Sequence, residues 1–444
     1  MPVTDHLFPM KLDVRHSTMS SVLPYDIIAE IIDIVGENDN TILIKELALV
    51  SHSFNQICGK YLFATVDLHD AVPMRQASSK KGFVKLLERR PEVVKYIRKL
   101  RYLVEYDGSF QSSSFSSTYP RHYDDDLLSP VLPNFLRTIS FLNCLTIAGS
   151  KLVEWDTIDS SLTSALLHLM HLPTIDHIDL SSIENFPLSS LAASKSPNLR
   201  RLDINYLTLG EDDPLENVVL PEAMPKILEF NTSDSSAMAE KLIHAKTQDG
   251  QPAFSYMDLR RLSISSSSSV FYQDDLNLQF FTYVMMLNAK LLEKLRFSVA
   301  CREGFEGVHE IFISPCARIL KELDFSLSFS ATESLALFED LEVMARDNML
   351  EVFSLQIVVD SSETDDFIGN AGFTFQKVEE ELVKAGWFAL RKVSFKVLII
   401  CWNADISEAL NSLPDKYLSY LPKLESIDFK YEWNIYSYYS DYYD

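Results

Sequence analysis

A short apolar pattern that returns about every thirty residues constrains this chain more than any other feature in it. An aliphatic residue, two variable residues, an apolar residue, one variable residue and a second apolar residue occur as Leu199, Leu202 and Ile204 and as Leu259, Leu262 and Ile264. The pattern returns as Leu292, Leu295, Phe297; Leu320, Leu323, Phe325; Leu350, Phe353, Leu355; Leu390, Val393, Phe395; and Leu424, Ile427, Phe429. Earlier copies fall at Ile97, Leu100, Tyr102; at Leu142, Leu145, Ile147; and at Ile175, Ile178, Leu180, with a degraded copy beginning at Ile227. Counted from the first residue of each copy, the intervals run from 24 to 45 residues. Such a period belongs to a solenoid, in which each unit is too small to hide its own apolar face and stacks on its neighbours.

The last two apolar positions of each copy are two apart, as a strand requires for side chains on one face. The stretches between copies carry helical periodicity, for example Leu162 to Leu172, Asp275 to Lys290 and Ser334 to Met344. The fold class expected is therefore α/β. An ordinary α/β domain with a closed parallel sheet is the alternative, but eleven copies are too many for a sheet of about six strands. Alternation sends the variable strand positions to the opposite face. These include Asp179, Ser181, Asp203, Asn205, Ser263, Arg296, Asp324, Ser326, Ser394, Lys396, Asp428 and Lys430. They are the candidate substrate contacts, polar or acidic upstream and partly basic at the end, which suits a basic or hydroxyl-rich partner at the middle of the arc.

Residues 20–66 read differently. Pro24 sits where a helix can begin, since its missing N–H is one of the unsatisfied donors there. Ile27, Ile28, Ile31, Ile32, Ile34 and Val35 follow with helical spacing, and Gly36 is placed to close the helix. Asn38 to Thr41 form a polar loop, Ile42, Leu43, Ile44, Leu47, Leu49 and Val50 pack a second helix, and Ser51 or Ser53 caps a third. That third helix carries Phe54, Ile57, Cys58, Tyr61 and Leu62. Three short helices cannot hide this much apolar surface among themselves, so the surplus predicts a partner.

At these residues the chain resembles the F-box. Leu23 and Pro24 match its Leu-Pro opening, Ile27, Ile28 and Ile31 its aliphatic helix, and Leu49, Val50, Ser51, His52, Ser53 and Phe54 its closing segment. Asp26, Ser51 and Phe54 stand where the pattern has Glu, Cys and Trp. With a strand and a helix per repeat, the remainder resembles an irregular leucine-rich repeat, although the usual Asn or Cys after the strand is generally missing. Together they look like the F-box/leucine-rich-repeat proteins, especially the divergent fungal group. The resemblance implies a substrate-recognition subunit of a Skp-cullin-F-box ubiquitin ligase, bound to a Skp-family adaptor and through it to cullin. Leu23, Pro24, Ile27, Ile28, Ile31, Leu47, Val50 and Phe54 are the expected adaptor contacts, and the repeat arc would hold an unknown protein substrate. The rival reading is a non-catalytic repeat scaffold whose N-terminal helices cap the solenoid.

The expected organisation is a disordered N-terminus at 1–19, the F-box at 20–66, a helical linker at 67–95, the solenoid at 96–430 with a flexible insertion at 107–127, and an acidic, Tyr-rich tail at 431–444. The chain carries 63 acidic against 40 basic residues, a net charge of −23. That balance opposes nucleic acid and anionic membranes as partners. The basic run Lys80, Lys81, Lys85, Arg89, Arg90, Lys95, Arg98, Lys99 and Arg101 is expected to be the solvated face of a helix around Gly82 to Lys99. Five scattered cysteines, no apolar leader in residues 1–20 and no bilayer-length apolar run suggest a soluble protein of the cytoplasm or nucleus.

No catalytic motif emerges. The 12 glycines form no phosphate loop, His309-Glu310 lacks the second histidine of a zinc-protease motif because residue 313 is Ile, and no Cys-x-x-Cys or G-x-S-x-G occurs. His168, His171 and His177 are the densest histidine cluster and are expected at the surface or a boundary. Neither enzyme activity, cofactor nor metal is expected; a hydrolase with an unrecognised site would need a deep polar pocket with strongly perturbed carboxylates or histidines.

Overall fold

The computed structural model describes residues 24–37, 41–69, 80–104, 131–192, 196–209, 225–246, 250, 252–266, 285–299, 315–328, 341–345, 348–360, 364–384, 386–401 and 406–437. It divides into two compact units, residues 1–64 and 65–444.

The first unit holds three helices, α1 (Tyr25–Glu37), α2 (Thr41–Ala48) and α3 (His52–Leu62). The carbonyl of Pro24 accepts the N–H groups of Ile27 and Ile28 at 3.1 and 3.2 Å, so the helix starts at the proline. Of the two expected caps of α3, Ser51 serves, its hydroxyl accepting the N–H of Phe54 at 3.3 Å. Ile32, Ile44, Ala48, Ile57 and Cys58 form the small core, with Ile28, Leu47, Phe54 and Tyr61 packed against it. Gly36 does not close α1 but lies inside it. Its missing Cβ is needed because the Tyr61 ring occupies that space, anchored by a hydrogen bond from its hydroxyl to Asp33 Oδ1 at 3.0 Å.

The second unit contains twelve strands in one sheet: β1 (Thr65–Leu68), β2 (Lys99–Val104), β3 (Cys144–Glu154), β4 (His177–Phe186), β5 (Arg201–Leu209), β6 (Glu229–Ser233), β7 (Arg261–Ser266), β8 (Lys294–Val299), β9 (Glu322–Ser328), β10 (Val352–Asp360), β11 (Lys392–Cys401) and β12 (Asp428–Ser437). Every pair is parallel and the spatial order is the chain order. A doubly wound sheet would reverse direction at a switch point. Here each unit instead stacks on the one before it, the solenoid arrangement. Parallel strands need crossovers, and among the described residues helices lie in seven of the eleven: α4 (Lys80–Arg89), α5 (Val131–Leu136), α6 (Ser160–Met170), α7 (Leu188–Ala192), α8 (Ser236–His244), α9 (Thr364–Leu382) and α10 (Ser407–Tyr417).

One backbone device sets the start of nearly every strand. The carbonyl of Arg98 accepts the N–H groups of Asn143 and Cys144 at 2.7 and 3.1 Å, and that of Asn143 accepts those of Asp176 and His177 at 2.8 and 3.1 Å. The same doubled acceptance continues through Asp176, Arg200, Leu228, Arg260, Glu293, Lys321 and Glu351. Beyond that start, two apolar rows run across the sheet on its buried face. One contains Leu145, Ile178, Leu202, Phe230, Leu262, Leu295, Leu323, Phe353 and Val393; the other contains Ile147, Leu180, Ile204, Ile264, Phe297, Phe325, Leu355 and Phe395. These are the pattern's second and third positions, and they stack in register because the period-two alternation leaves only one face to bury. Further along, Ser182, Tyr206 and Asp234 occupy matching places after β4, β5 and β6 register pairs, and all three have left-handed φ of 57°, 52° and 48°.

Several expectations need correction. The sheet starts at β1, inside the stretch read as the end of the F-box and a helical linker, because Val66 and Leu68 are buried by pairing with β2. The helix expected around Gly82 to Lys99 ends at Arg89, where Pro91 starts a 3-10 turn. Lys80 is not on a solvated face. It is buried, its ammonium 4.8 Å from the centroid of the Tyr102 ring. The last repeat copy sits two residues later than its pattern, since Val393 pairs with Phe429 rather than Ile427. A two-residue slip keeps the same side chains on the same face, so alternation alone cannot reveal it. The tail from Tyr431 is part of β12 as far as Ser437, and 438–444 lie outside the described residues, as do 1–19, the 107–127 insertion and most of the helices expected at 275–290 and 334–344.

Candidate functional site

Two surfaces remain after the cores are accounted for. On the first unit the structure separates the eight expected docking residues. Ile28, Leu47 and Phe54 face the three-helix core, and Leu23 lies outside the described residues. Pro24 is exposed, and Ile27, Ile31 and Val50 are 42%, 43% and 65% exposed. Ile34, Ile42 and Leu49, which spacing alone assigned to helix packing, are also exposed, Leu49 at 86%. A pattern of apolar residues does not say which of two faces a helix buries when both are apolar.

On the second unit the face opposite the apolar rows is a set of polar rows. The first runs Lys99, Cys144, His177, Arg201, Glu229, Arg261, Lys294, Glu322, Val352, Lys392 and Asp428. The next contains Asp179, Asp203, Asn231, Ser263, Arg296, Asp324, Ser354, Ser394 and Lys430, and the third contains Ser181, Asn205, Ser233, Ser265, Ser298, Ser326, Gln356 and Lys396. All twelve candidate contacts thus share one face, on seven of the nine strands from β4 to β12. Opposite charges meet along the rows: Arg261 Nη1 lies 2.9 Å from Glu229 Oε1, Lys294 Nζ 2.6 Å from Glu322 Oε2, and Arg296 Nε 3.5 Å from Asp324 Oδ2. Each such exposed pair contributes about 0–1 kcal/mol, so they align strands more than they stabilise them.

Two of the candidates are internally committed. Ser326 is buried and accepts the Gln356 side-chain amide at 3.1 Å. Asp203 is only 6% exposed although it lies on the polar face. Its carboxylate accepts His177 Nε2 at 2.8 Å, Arg201 Nη2 at 2.9 Å and the Asn231 amide. On the other side of His177, Nδ1 lies 3.2 Å from Cys144 Sγ. Thr146 donates to Asp179 Oδ2 at 3.4 Å beside them.

Charge in this cluster is tightly held. Burial works against the His177 imidazolium, but the Asp203 carboxylate and the Cys144 sulfur outweigh it and raise the ring to about 9. Burial also works against the Asp203 carboxylate, yet His177, Arg201 and Asn231 together hold it below the usual carboxylate value. Asp179, by contrast, is pushed up by burial and then by the Asp203 charge. Of the three clustered histidines, His168 is exposed on α6 and His171 donates to the carbonyl of Ser190 at 2.8 Å. Only His177 is drawn into a network. Aligning the repeat copies at their third residue would have placed Cys144, His177 and Arg201 side by side.

A pH dependence follows. A histidine raised from an ordinary value near ~6.5 to about 9 adds stability that is fully present below pH ~6.5 and is lost as pH rises through 9. With part of the ring exposed, the expected contribution is about 1–2 kcal/mol. Urea unfolding at about pH 6 and pH 9.5 should show that loss in the parent and a smaller one in His177→Gln; equal slopes in both would refute it. Asp203 acts in the opposite direction, its contribution disappearing on acidification.

Among the described residues, no group of three His, Cys, Asp or Glu side chains is placed to hold a metal ion, and no helix is long and apolar enough to cross a membrane. A groove of about 340 Å³ opens beside Pro91, Val94, Phe135 and Phe141, lined mainly by apolar atoms. No family model matches the chain, and no curated protein does. Among solved structures, a Bacteroides fragilis protein determined by the Northeast Structural Genomics Consortium is similar over 70% of this chain and 72% of that one, at 13% identity and a TM-score of 0.35. Nothing about function is carried from it to this chain.

Proposed function

We propose that the chain is a substrate receptor of a Skp-cullin-F-box ubiquitin ligase, docking on a Skp-family adaptor through its three N-terminal helices and holding a protein substrate on the polar rows of its sheet. The observation that carries this reading is the apolar surface of the first unit, where Ile27, Ile31, Ile34, Ile42, Leu49 and Val50 are all exposed. Exposed aliphatic side chains at this density are retained where a partner covers them. The mechanism is tethering. An adaptor on one unit and a substrate on the other raise the effective concentration of substrate near the conjugating enzyme, and this chain performs no chemistry in that step. The long polar face, whose candidate contacts lie on seven strands between β4 and β12, suits an extended protein partner better than a small molecule. Open candidates there are Asp179, Asn205, Ser263, Arg296, Asp324, Ser394, Lys396 and Asp428, with Asp203 and Ser326 acting from beneath them.

The test is binding of the full chain to a purified Skp-family adaptor, with and without Ile31→Asp and Val50→Asp together. Both residues are exposed, at 43% and 65%, and neither belongs to the three-helix core, so the variant should keep its circular dichroism. Adaptor affinity should fall at least about tenfold, corresponding to 1.4 kcal/mol, and cullin should join the parent complex. No binding by the parent, or equal binding by the variant, overturns the proposal and leaves a repeat scaffold with a helical cap as the better account.

A further inference from the structure

We propose that Cys144 is a nucleophilic thiol, activated by His177 and oriented through Asp203, and that it is a site of covalent modification by peroxides and other soft electrophiles. The inference stands on the connectivity of the three side chains and is independent of the ligase reading. Sγ of Cys144 and Nδ1 of His177 are 3.2 Å apart, and Nε2 of the same ring is 2.8 Å from Asp203 Oδ2. Asp203 cannot turn away, because Arg201 holds the same carboxylate at 2.9–3.2 Å and Asn231 donates to its other oxygen.

The consequence is a defined tautomer. An ionised carboxylate only accepts, so Nε2 must carry a proton; a neutral ring presents the Nδ1 lone pair to the thiol, and the protonated ring favoured below about pH 9 turns Nδ1–H to the sulfur as the partner of a thiolate. When that proton passes from sulfur to Nδ1, the products are a thiolate and an imidazolium whose two N–H groups face the sulfur and Asp203. A nucleophile within reach of a base that a third group orients is the arrangement of an activated cysteine. The thiol is also accessible. Cys144 is partly exposed on the polar face, and the exposed Lys99 precedes it in the same row. Cys58 and Cys316 are buried instead, and the Cys316 thiol is spent on the carbonyls of Met286 and Ala289.

With hydrogen peroxide as oxidant, the thiolate sulfur attacks one peroxide oxygen, an S–O bond forms and the O–O bond breaks. The departing hydroxide takes the proton held by the His177 imidazolium and leaves as water. Cys144 becomes a sulfenic acid, the sulfur is oxidised by two electrons, the peroxide is reduced by two, and His177 returns to its neutral form.

The test is the alkylation rate of Cys144 by iodoacetamide in the folded full chain, read by peptide mass mapping so that the five cysteines are resolved. At pH 7 His177→Gln should slow Cys144 by about tenfold or more, and the parent rate should stay level from about pH 6 to 8 while the variant's rises with pH. Brief peroxide treatment followed by a 1,3-dicarbonyl trap should label Cys144 in the parent and not in His177→Gln. Should that variant lose its circular dichroism signal, Asp203→Asn provides the second arm, because it keeps the side-chain shape and should also slow the reaction. A parent rate that rises with pH like a free thiol, or rates unchanged by a folded variant, overturns the proposal.

Discussion

Replacing Phe325 with alanine should lower the stability of the sheet unit by about 3–5 kcal/mol, the range for deleting a buried aromatic ring. Phe325 is 1% exposed and lies in the buried row at β9. Its ring meets Phe297 of β8 edge-on with centroids 6.5 Å apart, and Phe353 of β10 at 6.3 Å. The Phe325 ring therefore belongs to two repeat interfaces at once. In a stack where each repeat touches only its neighbours, removing that ring weakens both interfaces and leaves a cavity that the fixed strand register cannot close. Urea unfolding followed by circular dichroism measures the loss. Ser394→Ala, on the opposite face two strands away, should stay within about 0.5 kcal/mol of the parent. Similar costs for the two substitutions would contradict the assignment of faces.

Glu379→Ala should destabilise the C-terminal end by about 2–4 kcal/mol. Glu379 lies on α9 and is 1% exposed, an unusual place for a carboxylate. Its Oε1 accepts the backbone N–H groups of Tyr420 and Leu421 at 2.9 and 2.7 Å, and Oε2 accepts that of Ser419 at 2.8 Å. The side chain thus ties the chain leading into β12 to the preceding repeat. Close packing supports the tie, since Gly372 of α9 leaves room for the Tyr417 ring of α10. Alanine strands the Leu421 N–H, which is buried, whereas Ser419 and Tyr420 are exposed and can turn to water. Glu379→Gln keeps one acceptor oxygen for Tyr420 and Leu421 but turns an amide donor toward Ser419, so its loss should fall between the two. Amide exchange at Leu421 reads the effect locally. Protection unchanged in Glu379→Ala would show that the carboxylate is not what holds this segment.

Much of the architecture was legible because a repeated strand has few ways to hide its apolar residues. The second and third pattern positions, such as Leu295 and Phe297 or Leu323 and Phe325, predict strand, face and register together, and even the degraded copy at Ile227 corresponds to β6. Where pattern and structure part, the cause is a neighbour. Thr65–Leu68 is too short to signal itself and becomes a strand only because β2 lies beside it. The shift of β12 by two residues keeps the same alternation and is decided by pairing with β11. In the first unit, Ile28 and Ile27 are chemically identical. Only the packing of α2 and α3 tells which is core and which is surface.

The same division holds for the sites. The amino-acid sequence by itself determined a stack of strand-helix units, a polar face carrying Asp179, Ser263, Arg296 and Lys396, and an N-terminal module with more aliphatic side chains than it can bury. Those properties are periodic or compositional, so they survive without knowledge of contacts. Tertiary structure alone decided that Cys144, His177 and Asp203 touch, 33 and 26 residues apart in the chain, and that Glu379 reaches a backbone about forty residues onward. The repeat pattern can bring such strand positions side by side, but which side chains then turn toward one another, and how far Glu379 reaches, is decided by packing.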